Sequence, residues 1–166
     1  ILAQQSTDDI LIDLEGNYVI PGFNDAHIHI WKVGNLMTHM LDLRDVKSIT
    51  AMQQKIKAYA IQNPHLSWIQ ARGFNEANFI EQRFPTKHDL DSIQIDKPIC
   101  VTRTCAHQII VNSKALEIAE IDLDTAVPAG GEMKLLADGA ISGHFTETAI
   151  GLILSKIPRY TKAELR

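Results

Sequence analysis

Two histidines and an aspartate at alternate positions, Asp25, His27 and His29, have the residue types and the spacing for metal chemistry. If residues 24–30 form a strand, these three side chains project to one face of it. Two imidazoles placed in this way can bind one divalent ion such as Zn²⁺. Asp25 is then placed to accept a hydrogen bond from a metal-bound histidine and fix the orientation of its ring. The spacing therefore predicts part of a metal site, with His27 and His29 as ligands and Asp25 as the supporting carboxylate.

A His-X-His pair by itself is a weak indication, because a chain with seven histidines contains such a pair by chance fairly often. The alternative is an ordinary pair of histidines on a polar surface. Two features favour the metal site. Pro21-Gly22 favours a sharp turn into the segment, and Asp25 would lie on the same face of the strand as both histidines.

The elements that would position this segment alternate between strands and helices, which predicts an α/β or α+β protein. Two β-hairpins are expected, one with strands at 11–14 and 18–20 and one with strands at 132–137 and 140–145. The remaining expected strands are 24–30, 68–71 and 99–102, and the expected helices are 48–62, 86–93 and 112–119.

The composition is that of a folded domain and excludes several classes of protein. The 166 residues are 45% hydrophobic and 22% charged, with a net charge of −4, so neither disorder nor a nucleic-acid partner is expected. No stretch approaches the roughly 18 consecutive apolar residues of a membrane span. The two cysteines cannot form a disulfide framework and suit a reducing compartment, so we expect a cytoplasmic protein.

The stretch Val19–His29 resembles the Pro-Gly-Phe-X-Asp-X-His-X-His signature of the metal-dependent amidohydrolase superfamily. Other segments, in the family's order from about Leu11 to Ala149, resemble its YtcJ-like branch, amidohydrolase family 3. They are Leu41–Arg44, Trp68–Glu76, Pro85-Thr86, Leu90-Asp91, His107, Val111–Leu116, Gly130–Glu132 and Gly143–Glu147. The resemblance implies part of a (β/α)8 TIM barrel. Its divisions would be the end of an N-terminal β-sandwich (1–22), the first barrel strand and helix (23–64), an inserted α+β subdomain (65–145) and a return to the barrel (146–166).

The resemblance also implies two catalytic residues, His107 and Glu147. His107 would face the substrate and hydrogen-bond a carbonyl or stabilise developing negative charge; the alternative is a structural histidine bonded to the backbone. Glu147 would lie near the metal ions; the alternative is an acid in the first turn of a helix, where the helix dipole favours it. His144 departs from the family pattern, and it is either a pocket residue or a surface substitution.

By resemblance, the expected reaction is hydrolysis of an amide or other non-peptide C–N bond of a small molecule by metal-activated water, with one or two divalent ions and Zn²⁺ expected. Family members are several hundred residues long, and their later barrel strands supply two more histidines and an aspartate. We therefore expect this chain to be an N-terminal piece of an enzyme, inactive by itself. The rival hypothesis is a non-catalytic, metal-free subdomain that associates with its own copies through open strand edges.

Overall fold

The computed structural model describes residues 6–26, 28 and 30–161, and its described core is one six-stranded mixed sheet. The strands are β1 (Leu41–Asp42), β2 (Ile69–Phe74), β3 (Ile99–Arg103), β4 (Gln108–Val111), β5 (Glu132–Leu135) and β6 (Ile141–Thr146). The α-helices are α1 (Ile30–Thr38), α2 (Ile49–Gln62), α3 (Lys87–Asp91), α4 (Ser113–Ala119) and α5 (Ile150–Leu154). The spatial order is β1-β2-β3-β4-β6-β5; β1, β2 and β3 are parallel, and the other neighbouring pairs are antiparallel.

Helices cover both faces of the sheet and give it three layers. On one face, apolar residues of α2 and α3 pack against β2, β3 and β4 in one buried cluster. On the other face, residues of α4 and α5 pack against β4 and β6 in a second cluster. Neighbouring residues of β4 are buried in different clusters, Ile110 in the first and Ile109 in the second, because successive side chains of a strand point to opposite faces. This architecture confirms the predicted α/β class.

The helices begin and end where local signals predict. Ser48 caps α2 by accepting a hydrogen bond from the Ala51 amide, and the helix buries Met52 and Ile56 at a spacing of four residues. Asn112 caps α4, and Thr86 forms a capping box at α3. The predicted helices are therefore confirmed, although α3 ends at Asp91 rather than at residue 93.

The second predicted hairpin is confirmed, and it ends at the candidate site. Strands β5 and β6 pair in antiparallel register on either side of the Asp138-Gly139 turn, where Gly139 has φ +84°. Strands 68–71 and 99–102 are also confirmed, and both extend slightly further along the chain.

The predicted hairpin at 11–20 is wrong, and the predicted strand at 24–30 does not form over its described residues, 24–26, 28 and 30. The turn at Glu15-Gly16 forms, with the Asn17 amide donating to the Leu14 carbonyl at 2.8 Å, but residues 6–26 contain no strand. Residues 24–26 and 28 are likewise irregular, and Ile30 already begins α1. A strand needs a neighbouring strand to satisfy its backbone groups, and no strand in the described part of the chain pairs with this segment.

The sheet runs from Leu41 to Thr146 and includes β1 before α2. The divisions at residues 22, 64 and 145, and the barrel itself, stay predictions. No helix within residues 6–26, 28 and 30–161 has the length and apolar character needed to cross a membrane.

Candidate active site

The sheet brings the two predicted catalytic residues, His107 and Glu147, into contact. Strand β4 begins at Gln108 and strand β6 ends at Thr146, and these two residues lie opposite each other in the antiparallel pair. His107 therefore precedes one strand at the point where Glu147 follows the other. His107 Nδ1 lies 2.8 Å from Glu147 Oε2, and the Glu147 amide donates to the His107 carbonyl at 3.0 Å. Two residues 40 positions apart thus meet through both side chain and backbone.

Glu147 has a backbone conformation that a residue with a side chain rarely adopts. Its φ is +48°, in the left-handed region, at the first residue of the 3₁₀ helix Glu147–Ala149. For a residue other than glycine this conformation costs roughly 1–2 kcal/mol. The hydrogen bond from the Glu147 amide to His107 holds the backbone there. Strained non-glycine residues of this kind concentrate at functional sites, where the strain fixes a side chain in a required direction.

The pair has the arrangement of a histidine oriented by a carboxylate. If Nδ1 carries a proton, it donates to Glu147 Oε2, which fixes the ring and leaves Nε2 for a ligand. Neutral Nε2 can accept a proton or bind a metal ion, and protonated Nε2 can donate to a carbonyl oxygen or a leaving amine. The two side chains are 66% and 52% exposed, so a ligand can reach them.

The turn that carries His107 is fixed at its base by an ion pair. Arg103, the last residue of β3, donates to both carboxylate oxygens of Glu76 at 2.8 Å. The Arg103 guanidinium lowers the pKa of the Glu76 carboxyl, against a smaller opposing effect of burial. Both side chains are largely buried, at 20% and 16% exposure. The left-handed Ala106, with φ +65°, then reverses the chain into β4. These contacts hold the turn in place beside Glu147.

The metal site predicted at the start of the chain includes two residues that the structure does not describe. His27 and His29 lie outside the described residues. Asp25 lies in the exposed irregular segment before α1. Within residues 6–26, 28 and 30–161, no three histidine, cysteine, aspartate or glutamate side chains are grouped so that they could hold a metal ion. The described part therefore does not fit a metal ion by itself, and the roles of His27, His29 and Asp25 stay predictions.

His144 is a pocket residue and not a surface substitution. It is 8% exposed, its ring stacks on Phe84 with centroids 4.7 Å apart, and Nε2 lies 2.8 Å from Gln108 Oε1. Burial lowers the pKa of the imidazole, so the ring is uncharged at neutral pH. His144, Phe84 and Gln108 line an open groove of about 490 Å³ that also includes Thr146.

Sequence reasoning did not single out Phe84, Gln108 or Thr146. The available signal was indirect: strand alternation places Thr146 on the same face of β6 as His144. Gln108 lies on β4, and the sequence pattern of β6 does not indicate that β4 is its partner strand. The groove and the His107–Glu147 pair are neighbours along both strands.

The model of the amidohydrolase family matches residues 11–166, almost the whole chain. The chain belongs to the amidohydrolase family. Among the relatives of this chain, the YtcJ protein of Bacillus subtilis (strain 168) is 37% identical over 147 residues, which are 89% of this chain and 28% of that protein. N-substituted formamide deformylase of Arthrobacter pascens is 28% identical over 150 residues, again 89% of this chain and 28% of that protein. These findings confirm the family and its YtcJ-like branch.

A solved structure also resembles this amidohydrolase chain. It is an uncharacterized metal-dependent hydrolase from Pyrococcus furiosus, with a TM-score of 0.55 and 25% sequence identity over 87% of this chain and 27% of that one. The chain thus spans less than a third of the length of the relatives it matches.

Proposed function

We propose that this amidohydrolase chain forms part of a metal-dependent enzyme that hydrolyses an amide or other non-peptide C–N bond of a small molecule. Family membership supports a hydrolase. The likeness to a metal-dependent hydrolase supports a divalent metal ion, and a relative that acts as a formamide deformylase supports C–N cleavage.

The observation that carries this proposal is the contact between His107 and Glu147 at the ends of two neighbouring strands. When both ring nitrogens carry a proton, Nδ1 donates to Glu147, and this hydrogen bond orients the imidazole. His107 Nε2 then hydrogen-bonds the scissile carbonyl and stabilises the negative charge that develops on its oxygen. The strained backbone of Glu147 keeps the carboxylate directed at His107 throughout.

We further propose that His27 and His29 hold the metal ion, with Asp25 orienting one of them. One or two Zn²⁺ ions would supply activated water at neutral pH. Paired with later strands of a longer protein, residues 24–30 would form the first strand of the predicted (β/α)8 barrel and carry these residues. The sheet from Leu41 to Thr146 would form a wall of the substrate site. The remaining ligands and the catalytic aspartate would come from later strands of a longer protein. The chain alone would therefore be inactive, and the whole enzyme would be cytoplasmic.

Amide hydrolysis by the full-length protein tests the proposal. Release of amine or ammonia is measured from a panel of formamides, acetamides and ureas, before and after chelator treatment. We expect turnover that requires metal, with kcat/KM lowered roughly 10²–10⁴-fold by His107→Ala and roughly 10–100-fold by Glu147→Gln. The control variants His88→Ala and Glu117→Gln, both at exposed positions away from the pair, keep full activity. Metal-independent turnover, or equal losses in variant and control, contradicts the proposal.

A second candidate function is self-association, which one observation favours. Large apolar side chains in residues 10–30 are exposed, including Tyr18 and Phe23, each at 96%. Exposed apolar surface of this extent is typical of an interface. Light scattering after size exclusion, from 5 to 200 µM chain, distinguishes a monomer from an oligomer. The double variant Tyr18→Ser/Phe23→Ser should remove any association, and a monomer at every concentration eliminates this candidate.

A further inference from the structure

The groove beside His144 has the size and the lining of a site for a small ligand. Its volume of about 490 Å³ lies within the usual range for ligand pockets. The lining combines apolar side chains with polar groups. The apolar lining includes Phe84, Leu135 and Leu136, and the polar lining includes Gln108, His144 and Thr146.

The polar groups of the groove keep hydrogen-bonding capacity for a ligand. Gln108 Oε1 is hydrogen-bonded to Nε2 of His144. The two amide protons of Gln108 have no partner among the described residues. Thr146 Oγ1 accepts from the Glu132 amide at 3.1 Å, and its own hydroxyl proton bonds to no acceptor in that part of the chain. The groove therefore presents donors, and a carbonyl oxygen is the complementary group.

Charge in the groove favours an uncharged ligand. Lys134 is its cationic lining residue, and it forms a salt bridge with Glu132. The His144 ring is neutral because burial lowers its pKa. A carboxylate would therefore have to compete with Glu132 for Lys134 and would lose solvation on entry.

The groove adjoins the candidate catalytic pair. Gln108 and Thr146, which face each other across β4 and β6, directly follow His107 and directly precede Glu147 in the chain. Consecutive Cα atoms are about 3.8 Å apart, so the backbone of each pair residue lies one residue from the groove lining. The stacked rings of Phe84 and His144 offer an aromatic surface to its apolar part.

We propose that this groove binds the non-reacting part of the substrate, an uncharged carbonyl compound with an aromatic group, through the donors of Gln108 and Thr146 and the apolar surface of Phe84 and Leu135. This inference rests on the proposed function and names its substrate class. It requires only that the groove binds such compounds, and binding can be measured without turnover.

Benzamide is a suitable probe, because it joins a phenyl ring to an uncharged carboxamide. The metal-free ¹⁵N-labelled chain is titrated with benzamide, acetamide and benzoate, and amide shifts are followed by NMR. We expect saturable benzamide binding in the millimolar range, with the largest shifts at Phe84, Gln108, His144 and Thr146. Acetamide should bind at least 10-fold more weakly, since it lacks the ring, and benzoate should bind no more tightly than benzamide.

Matched variants test the location without disturbing the core. Leu135 and Leu123 are both exposed, at 53% and 61%, and only Leu135 lines the groove. Leu135→Asp should weaken benzamide binding at least 10-fold, and Leu123→Asp should leave it unchanged. Absence of saturable binding, equal effects of the two variants, or tighter binding of benzoate overturns the inference. The binding assay involves no turnover, so the two proposals can fail separately. If the full-length protein shows no hydrolysis but the chain still binds benzamide in the groove, the proposed hydrolysis is refuted and the proposed binding site stands.

Discussion

Replacing Glu147 by glycine and by alanine tests the strained backbone at the centre of the site. Both variants remove the carboxylate, so the lost contact with His107 is the same in each. Alanine keeps the left-handed penalty at φ +48°, roughly 1–2 kcal/mol. Glycine avoids that penalty, but the unfolded chain gains freedom that costs about 0.4–1 kcal/mol. From the middle of these ranges, Glu147→Gly should be more stable than Glu147→Ala by about 0.8 kcal/mol.

Urea unfolding of the two variants measures this difference, and thermal unfolding should show it as a shift of about 2–3 °C for a chain of this size. Glu117, an exposed residue in α4, provides the matched control. At that ordinary helical position alanine should be more stable than glycine by about 1 kcal/mol. The sign of the difference is therefore opposite at the two glutamates. If the alanine variant is more stable than the glycine variant at position 147 as well, Glu147 does not have a strained left-handed backbone.

Three further predictions concern other parts of the fold. Asn112→Ala should destabilise the chain by about 2–4 kcal/mol in urea unfolding, because the buried amide bonds three backbone groups that would lose their partner; a loss under 1 kcal/mol contradicts this. Glu76→Gln should be less stable than the unchanged chain at pH 7, and the gap should narrow as the pH falls below 4.5. The Arg103 contact lowers the folded pKa of Glu76 below its ordinary 4.5, so the stabilisation is fully present above 4.5 and is lost as the pH falls through the lowered pKa; a gap that does not change with pH refutes the assignment. An aromatic disulfide reagent should modify Cys105 in the folded chain, since burial opposes ionisation there but contacts with the His107 amide and Arg103 lower its pKa overall. Burial raises the pKa of Cys100 to about 12, so that thiol should react only on unfolding. If the folded chain rapidly releases two equivalents of the aromatic thiol from the reagent, this prediction is contradicted.

The elements that local chemistry determines were predicted correctly from the sequence. Ser48, Thr86 and Asn112 mark helix starts, and Asp138-Gly139 marks a hairpin. Each depends on neighbouring residues only, so a short window contains the whole signal. The predicted strand at 24–30 shows the limit of this reasoning, because alternation describes one strand and says nothing of whether a partner is present.

The candidate site depends on contacts between distant parts of the chain. The resemblance singled out both His107 and Glu147, but their contact follows from the register that pairs Gln108 with Thr146. Nothing local indicates the left-handed backbone of Glu147, since glycine or asparagine usually marks such positions. The Arg103–Glu76 pair, 27 residues apart, likewise forms only when β2 and β3 lie side by side.

The central claim is that His107 and Glu147 belong to the same centre as a metal ion held by His27 and His29. Titration of the ¹⁵N-labelled full-length protein, which supplies the remaining ligands, with Mn²⁺ tests it directly, because the paramagnetic ion broadens the NMR signals of nearby residues. We expect selective broadening of the His107 and Glu147 amides. It should be abolished by His27→Ala/His29→Ala and retained in the control His65→Ala/His88→Ala, which removes two exposed histidines. Broadening that is absent from these amides, or that persists without His27 and His29, would contradict the claim.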